Sequence, residues 1–182
     1  MESYLTKRAY NKVAVFFEAR GIEAIHVEID WKGGKSGSFA DYTEQFLKLY
    51  KKQKNAEVYM LGFSFGAVVA LLVALKIKPK NLILCSLSPF FEEDLKNIKP
   101  SWLKWWRKHS IESNYSFSKL APSIKLEAYL IVGDKEHKSC LIRAKDAKKK
   151  LLNSHLFIAK GGKHNIGQKE YLETVNRVIS KL

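Results

Sequence analysis

The chain has 182 residues and 46% hydrophobic content, which is enough to bury the core of one globular domain. Its 32 Lys and Arg residues against 18 Asp and Glu residues give a formal net charge of +14. The basic residues are mostly lysines spread along the whole chain, so a specific nucleic-acid partner is not expected.

Apolar periodicity predicts alternating helices and strands along the first half of the chain. In chain order we expect a helix over 4–20 that ends at Gly21, a strand over 22–31, a helix over 39–54, a strand over 58–61 and a helix over 67–76. The stretch 58–75 carries no charge and has the minimum length of a membrane-spanning helix. Glycines and Ser64 interrupt it, so no transmembrane segment is expected.

The second half continues the same alternation. Strands are predicted over 82–87, 126–132 and 154–159, and helices over 140–152 and 169–182. Continuous apolar strands between amphipathic helices indicate a mostly parallel sheet covered on both faces. The expected fold class is therefore α/β, as a three-layer α/β/α sandwich.

The cysteine content and the N-terminal residues indicate in which cellular compartment the protein is expected. Cys85 and Cys140 are too few for a disulfide framework, and the first residues lack the apolar core of a signal peptide. Both observations favour a cytoplasmic location. No group of Cys, His and carboxylate residues stands at metal-ligand spacing in the sequence, and no cofactor is expected.

A strand, a sharp turn and a helix are predicted around Ser64, in the sequence Gly62-Phe63-Ser64-Phe65-Gly66. This G-x-S-x-G pattern in that context is typical of a nucleophilic serine held above the end of a sheet. Positions two before and two after the serine must be small, and the helix N-terminus stabilises negative charge. Ser64 is the candidate nucleophile and the Phe65 N–H the candidate oxyanion donor. An ordinary glycine-rich turn is the alternative interpretation.

A serine hydroxyl needs a base, and the base in turn needs an acid to orient it. His164 follows the last predicted strand in Gly161-Gly162-Lys163-His164-Asn165, so we expect it at the same edge of the sheet as Ser64. Asp134 and Glu136 both follow the strand over 126–132. Spacing alone does not choose between these two carboxylates.

Three segments together resemble the signature segments of α/β-hydrolases: those around Ser64 and His164, and Ile131-Val132-Gly133-Asp134-Lys135-Glu136. The resemblance covers nearly the whole chain. It implies a serine hydrolase that cleaves a small carboxylic ester, or a similar acyl substrate, through an acyl-enzyme. In that family the acid usually stands three residues after the glycine that ends its strand, which nominates Glu136 and leaves Asp134 as a turn residue.

The resemblance also implies one domain over 1–182 with a small lid-like insertion at about 89–125. Trp102 and Trp106 share a helical face in this insertion and, with Phe63, are candidate substrate-binding residues. A helix on a membrane surface or plain core packing would give the same tryptophan spacing.

One departure from the family concerns the start of the fold. Family members normally begin with a strand whose glycine-rich end supplies a second oxyanion donor, and here no such strand precedes the first helix. We therefore expect impaired acyl transfer unless Gly33, Gly34 or the N-terminus fills the gap. A non-catalytic interaction protein, or a truncated and impaired homologue, is the rival hypothesis.

The segment Lys32-Gly33-Gly34-Lys35-Ser36 lacks the first glycine of a phosphate-binding loop, so nucleotide binding is not expected.

Overall fold

The computed structural model describes residues 4–31, 38–51, 57–97, 100–101 and 115–182. Its centre is a parallel sheet in the order β1-β2-β3-β4. The strands are β1 (Tyr59–Phe63), β2 (Asn81–Cys85), β3 (Glu127–Gly133) and β4 (Ser154–Ala159). Phe63 pairs with Cys85, and Cys85 with Ile131, so the carboxyl ends of the strands meet at one edge.

Helices cover both faces of this sheet, as the α/β/α sandwich requires. They are α1 (Tyr4–Glu18), α2 (Phe39–Tyr50), α3 (Phe65–Ile77), the short α4 (Phe117–Leu120), α5 (Lys138–Lys150) and α6 (Lys169–Ile179). The first and the last pack on one face, against Ile83, Tyr129 and Ile131. The helices α2, α3 and α5 share the core of the other face with Leu84 and Leu130.

The apolar pattern of each helix follows from its place in these layers. Ala9, Val13 and Phe17 recur at helical spacing and form the buried stripe of α1. In contrast, α3 is buried continuously from Ala67 to Ala74, because the sheet covers one side and α2 covers the other. The uncharged stretch 58–75 is thus divided between β1 and α3 at Ser64. Within the described part of the chain, no helix combines the length and the apolarity needed to cross a bilayer.

The prediction of a strand over residues 22–31 is wrong. Burial alternates from Val27 to Asp30, but the alternation breaks earlier, since Ile25 is 52% exposed and the following His26 is exposed as well. However, residues 22–30 form no ladder with any described strand. A cavity of about 210 Å³ lies between this segment and β1, roofed by α1 and floored by α3. The apolar pattern alone therefore did not identify a strand here, because a strand also needs a neighbouring backbone to pair with.

Candidate active site

Ser64 lies at the carboxyl edge of the sheet, between the end of β1 and the start of α3. Its backbone angles are φ 56° and ψ −119°, a strained combination for a residue with a side chain. The Ser64 N–H donates to the Cys85 carbonyl at 2.9 Å, which ties the turn to β2. The hydroxyl makes no capping bond to α3, so it is available for other partners.

The glycine before the turn is required by a close approach of backbone to backbone. A Cβ at Gly62 would lie 2.2 Å from the Gly66 carbonyl oxygen. At Gly66 itself, a Cβ would meet only the Tyr10 hydroxyl, at 3.8 Å. Both positions were predicted to require a small residue, but the backbone crowds Gly62 much more strongly than Gly66.

This asymmetry predicts opposite effects for two alanine substitutions. Gly62→Ala should reduce the free energy of unfolding by about 3 kcal/mol or more, since the obstructing atoms are backbone. Gly66→Ala should be neutral or stabilise by up to about 1 kcal/mol, because it improves helix propensity in α3. Urea denaturation of both variants checks the prediction, and equal losses at the two positions would contradict it.

The structure brings Ser64, His164 and Glu136 together at this edge. His164 Nε2 lies 3.0 Å from Ser64 Oγ, and His164 Nδ1 lies 2.7 Å from Glu136 Oε2. The Glu136 side chain is fully buried, whereas that of His164 is 43% exposed. An ionised carboxylate only accepts hydrogen bonds, so Nδ1 carries the proton toward Glu136 and Nε2 is left to accept from Ser64.

Two glycines fix the distance between the loops that carry the acid and the imidazole. A Cβ at Gly133 would lie 2.2 Å from the Gly162 carbonyl oxygen, so the two backbones are in direct contact. Asp134, the other candidate acid, accepts from the Gly161 N–H at 2.7 Å instead of facing His164. Asp134 therefore holds the two loops together, and Glu136 is the carboxylate that contacts the imidazole.

A buried network that the sequence analysis missed surrounds Glu136. Its Oε1 accepts from the Gly133 N–H at 2.7 Å and from the Ser86 hydroxyl at 2.6 Å. The single proton of Ser86 goes to Glu136. The Tyr171 hydroxyl lies 2.6 Å from Ser86 Oγ and 3.1 Å from the Ile131 carbonyl oxygen, and it donates its one proton to one of these two acceptors. Burial raises the pKa of Tyr171 well above 10.0, so it remains a donor at any physiological pH. These contacts fix the carboxylate while leaving Oε2 for the imidazole.

Ser88 is a second residue that motif reasoning did not find. Its hydroxyl is buried and lies 3.1 Å from Ser64 Oγ. If Ser64 donates to His164, the Ser88 hydroxyl must donate to Ser64. Ser86 directly follows β2, and Ser88 stands three residues after the carboxyl end of that strand. The positional rule that led to His164 would therefore have led to them as well.

Of the remaining predicted site residues, the structure describes Phe65 and Phe63. Phe65 opens α3, so its N–H is at the helix N-terminus beside Ser64. Phe63 packs against the His164 imidazole, with ring centroids 4.9 Å apart, and edge-on against Tyr171. The other predicted positions lie outside the described residues, namely Trp102, Trp106, Gly33, Gly34 and the whole segment 32–36.

The fold also assembles a Cys, His and carboxylate group that the sequence spacing did not predict. Potential ligand atoms of Glu136, Cys140 and His164 lie within 4.8 Å of one another. Burial and the neighbouring Glu136 carboxylate raise the pKa of Cys140 to about 12. Metal ions bind the thiolate, so this donor set could hold a metal only if Cys140 released its proton on binding.

Comparisons with known proteins agree with this architecture. Residues 8–181 match a family model described as serine aminopeptidase, S33. A search of curated proteins finds no match.

Solved structures with the same fold have low sequence identity to the chain. Ferulic acid-bound Est1E from Butyrivibrio proteoclasticus has a TM-score of 0.77 at 15% identity, covering 96% of this chain and 81% of Est1E. An esterase from Exiguobacterium antarcticum has a TM-score of 0.73 at 14% identity, with coverage of 100% and 89%. A bromoperoxidase from Bacillus anthracis has a TM-score of 0.72 at 11% identity, with coverage of 100% and 88%. Because the family model spans nearly all of its length, the chain belongs to the serine aminopeptidase S33 family of α/β-hydrolases.

Proposed function

We propose that the protein is a serine hydrolase that cleaves small carboxylic esters through an acyl-enzyme, with Ser64, His164 and Glu136 as its catalytic triad. The observation that carries the proposal is the continuous chain of two contacts, 3.0 Å and 2.7 Å, that links hydroxyl, imidazole and carboxylate. These residue types in this order are the arrangement that activates a serine hydroxyl. The proposed substrate class agrees with the esterases among the solved structures of the same fold.

The proposed reaction begins with the neutral imidazole of His164. Its Nε2 removes the Ser64 proton as Oγ attacks the ester carbonyl carbon, and Glu136 stabilises the imidazolium that forms. The Phe65 N–H, at the start of α3, donates to the oxyanion. His164 then protonates the leaving alcohol, and the acyl group remains on Ser64. A water deprotonated by the same imidazole releases the acid.

A fluorophosphonate probe tests the nucleophile directly, because it phosphonylates activated serines. We expect the wild-type protein to be labelled and Ser64→Ala to show no labelling above background. Ser88→Ala is the matched control, since its hydroxyl lies only 3.1 Å away and is the alternative nucleophile. That variant should remain labelled, and peptide mapping should place the adduct on Ser64.

Two outcomes would contradict the proposal. Labelling that survives in Ser64→Ala and disappears in Ser88→Ala would move the nucleophile to Ser88. A folded wild-type protein that is not labelled and does not hydrolyse p-nitrophenyl acetate would favour the rival hypothesis, a non-catalytic member of the family. The loss of one oxyanion donor typically lowers turnover by about 10²–10³-fold, so slow labelling alone would not decide between them.

A further inference from the structure

The outer edge of β1 faces the cavity described above and pairs with no strand of the described residues. The direction of its backbone groups follows from two hydrogen bonds to the β2 side. Val58 accepts from the Lys80 N–H, and Ser64 donates to Cys85, so the even-numbered residues between them face β2. Backbone groups alternate along a strand, so the N–H and C=O groups of Tyr59, Leu61 and Phe63 point away from β2. We call the space between this edge and residues 22–29 the β1 cleft.

The walls of the β1 cleft are apolar above and below. Val13 and Ala14 of α1 form the roof, and Val69 and Ala70 of α3 form the floor; all four are buried. The far wall is the segment 22–29, which contributes Ile29 and also the polar residues Glu23, His26 and Glu28. The cleft therefore has the environment of an interior strand of a parallel sheet, where side chains meet helices on both faces.

From this combination we propose that the β1 cleft binds an extended segment of a different protein, with apolar side chains on both faces, as an added strand. An aliphatic chain would satisfy the apolar roof and floor but would leave the outward N–H and C=O groups of β1 without a protein partner. A peptide backbone satisfies both requirements, and main-chain pairing of this kind is a known recognition mode. Since β1 has five residues, the bound segment should contribute about five.

The probe is the peptide Ser-Val-Ile-Val-Ile-Val-Ser with an uncharged BODIPY label, a blocked C-terminus and no charged side chain. Neutral residues avoid unspecific attraction to a protein of net charge +14. Its control has the same side chains but is N-methylated at every apolar residue, so that neither edge of the peptide offers ladder donors. Fluorescence polarisation with the full chain should show binding of the first peptide and at least about 100-fold weaker binding of the second. The measurement needs no turnover, so it stands whether or not the proposed hydrolase activity is found.

Two variants locate the binding. Leu61→Pro removes one outward N–H without removing a bond to β2, and should weaken peptide binding about tenfold. Ala14→Trp places a large side chain from α1 in the cleft and should abolish binding. This variant still tests the proposal if Leu61→Pro does not fold. Val15→Trp is the matched control, since Val15 is 57% exposed on the same helix, and it should bind as the wild type does.

Three results would overturn the proposal. The first is equal affinity for both peptides, which would indicate an apolar ligand pocket without main-chain pairing. The second is unchanged binding in folded Ala14→Trp, which would place the peptide elsewhere. The third is a wild-type dimer that Leu61→Pro converts to a monomer, because a second copy of this chain would then occupy the cleft.

Discussion

Replacing His164 with alanine is expected to lower kcat for p-nitrophenyl acetate by about 10⁶-fold. Without an imidazole at 3.0 Å, Ser64 has no base to remove its proton, and the leaving alcohol has no acid to protonate it. The remaining rate should come from binding and from the Phe65 N–H alone. The double variant with Ser64→Ala should be no slower than either single variant, because members of such a unit act together.

A second histidine provides the control for His164. His155 is 53% exposed on β4 and faces Glu127, distant in sequence and structure from the proposed nucleophile. His155→Ala should keep kcat within about twofold of the wild type, as expected for a surface substitution. If His164→Ala retained a substantial part of the activity, or if both variants lost it equally, His164 would not be the base.

The second large effect is expected for Glu136→Gln, which should lower kcat by about 10⁴-fold. Gly133 and Ser86 both donate to Oε1, so the new amide must place its oxygen there and its NH₂ group toward His164. Two donors would then face each other across the 2.7 Å contact. The imidazole can relieve this only by moving its proton from Nδ1 to Nε2, and in that form it cannot accept the proton of Ser64.

Asp134→Asn is the matched control for the acid, since the same type of change is made two residues away. Asp134 uses one oxygen to accept from the Gly161 N–H, and an amide oxygen can do the same. This variant should keep kcat within about threefold of the wild type. NMR of the imidazole nitrogens should report a changed tautomer in Glu136→Gln only. A greater loss in Asp134→Asn would assign the acid to Asp134.

The sequence predicted most of the fold because side-chain periodicity reports which faces are buried. All four strands of the sheet were predicted within about two residues, and β4 was predicted at its observed ends, Ser154–Ala159. The error at residues 22–31 has the same origin. Apolar residues at strand-like spacing predict a half-buried strand, but they do not show whether another backbone lies beside it.

The candidate site was predictable to the extent that its residues lie in local patterns. Ser64 and His164 stand in glycine-rich turns just after strands, and the position of Glu136 followed from family resemblance, not from spacing. Ser86 and Tyr171 meet only in three dimensions, 85 positions apart in sequence. Tyr171 has the spacing of an ordinary core residue of α6, so no local pattern distinguishes its hydroxyl as a partner of Ser86.

The contact between Gly133 and Gly162 also affects how the proposed site could adapt to different substrates. Because these two backbones touch and Asp134 accepts a hydrogen bond from Gly161, the loops that carry the acid and the base are held rigidly against each other. Adjustment to the shape of an ester must then fall to the opposite side of Ser64, where the Phe65 ring packs against Phe90 at 4.6 Å. Substrate selectivity should therefore evolve by exchanging aromatic rings near α3, while the loops that hold the acid and the imidazole stay unaltered.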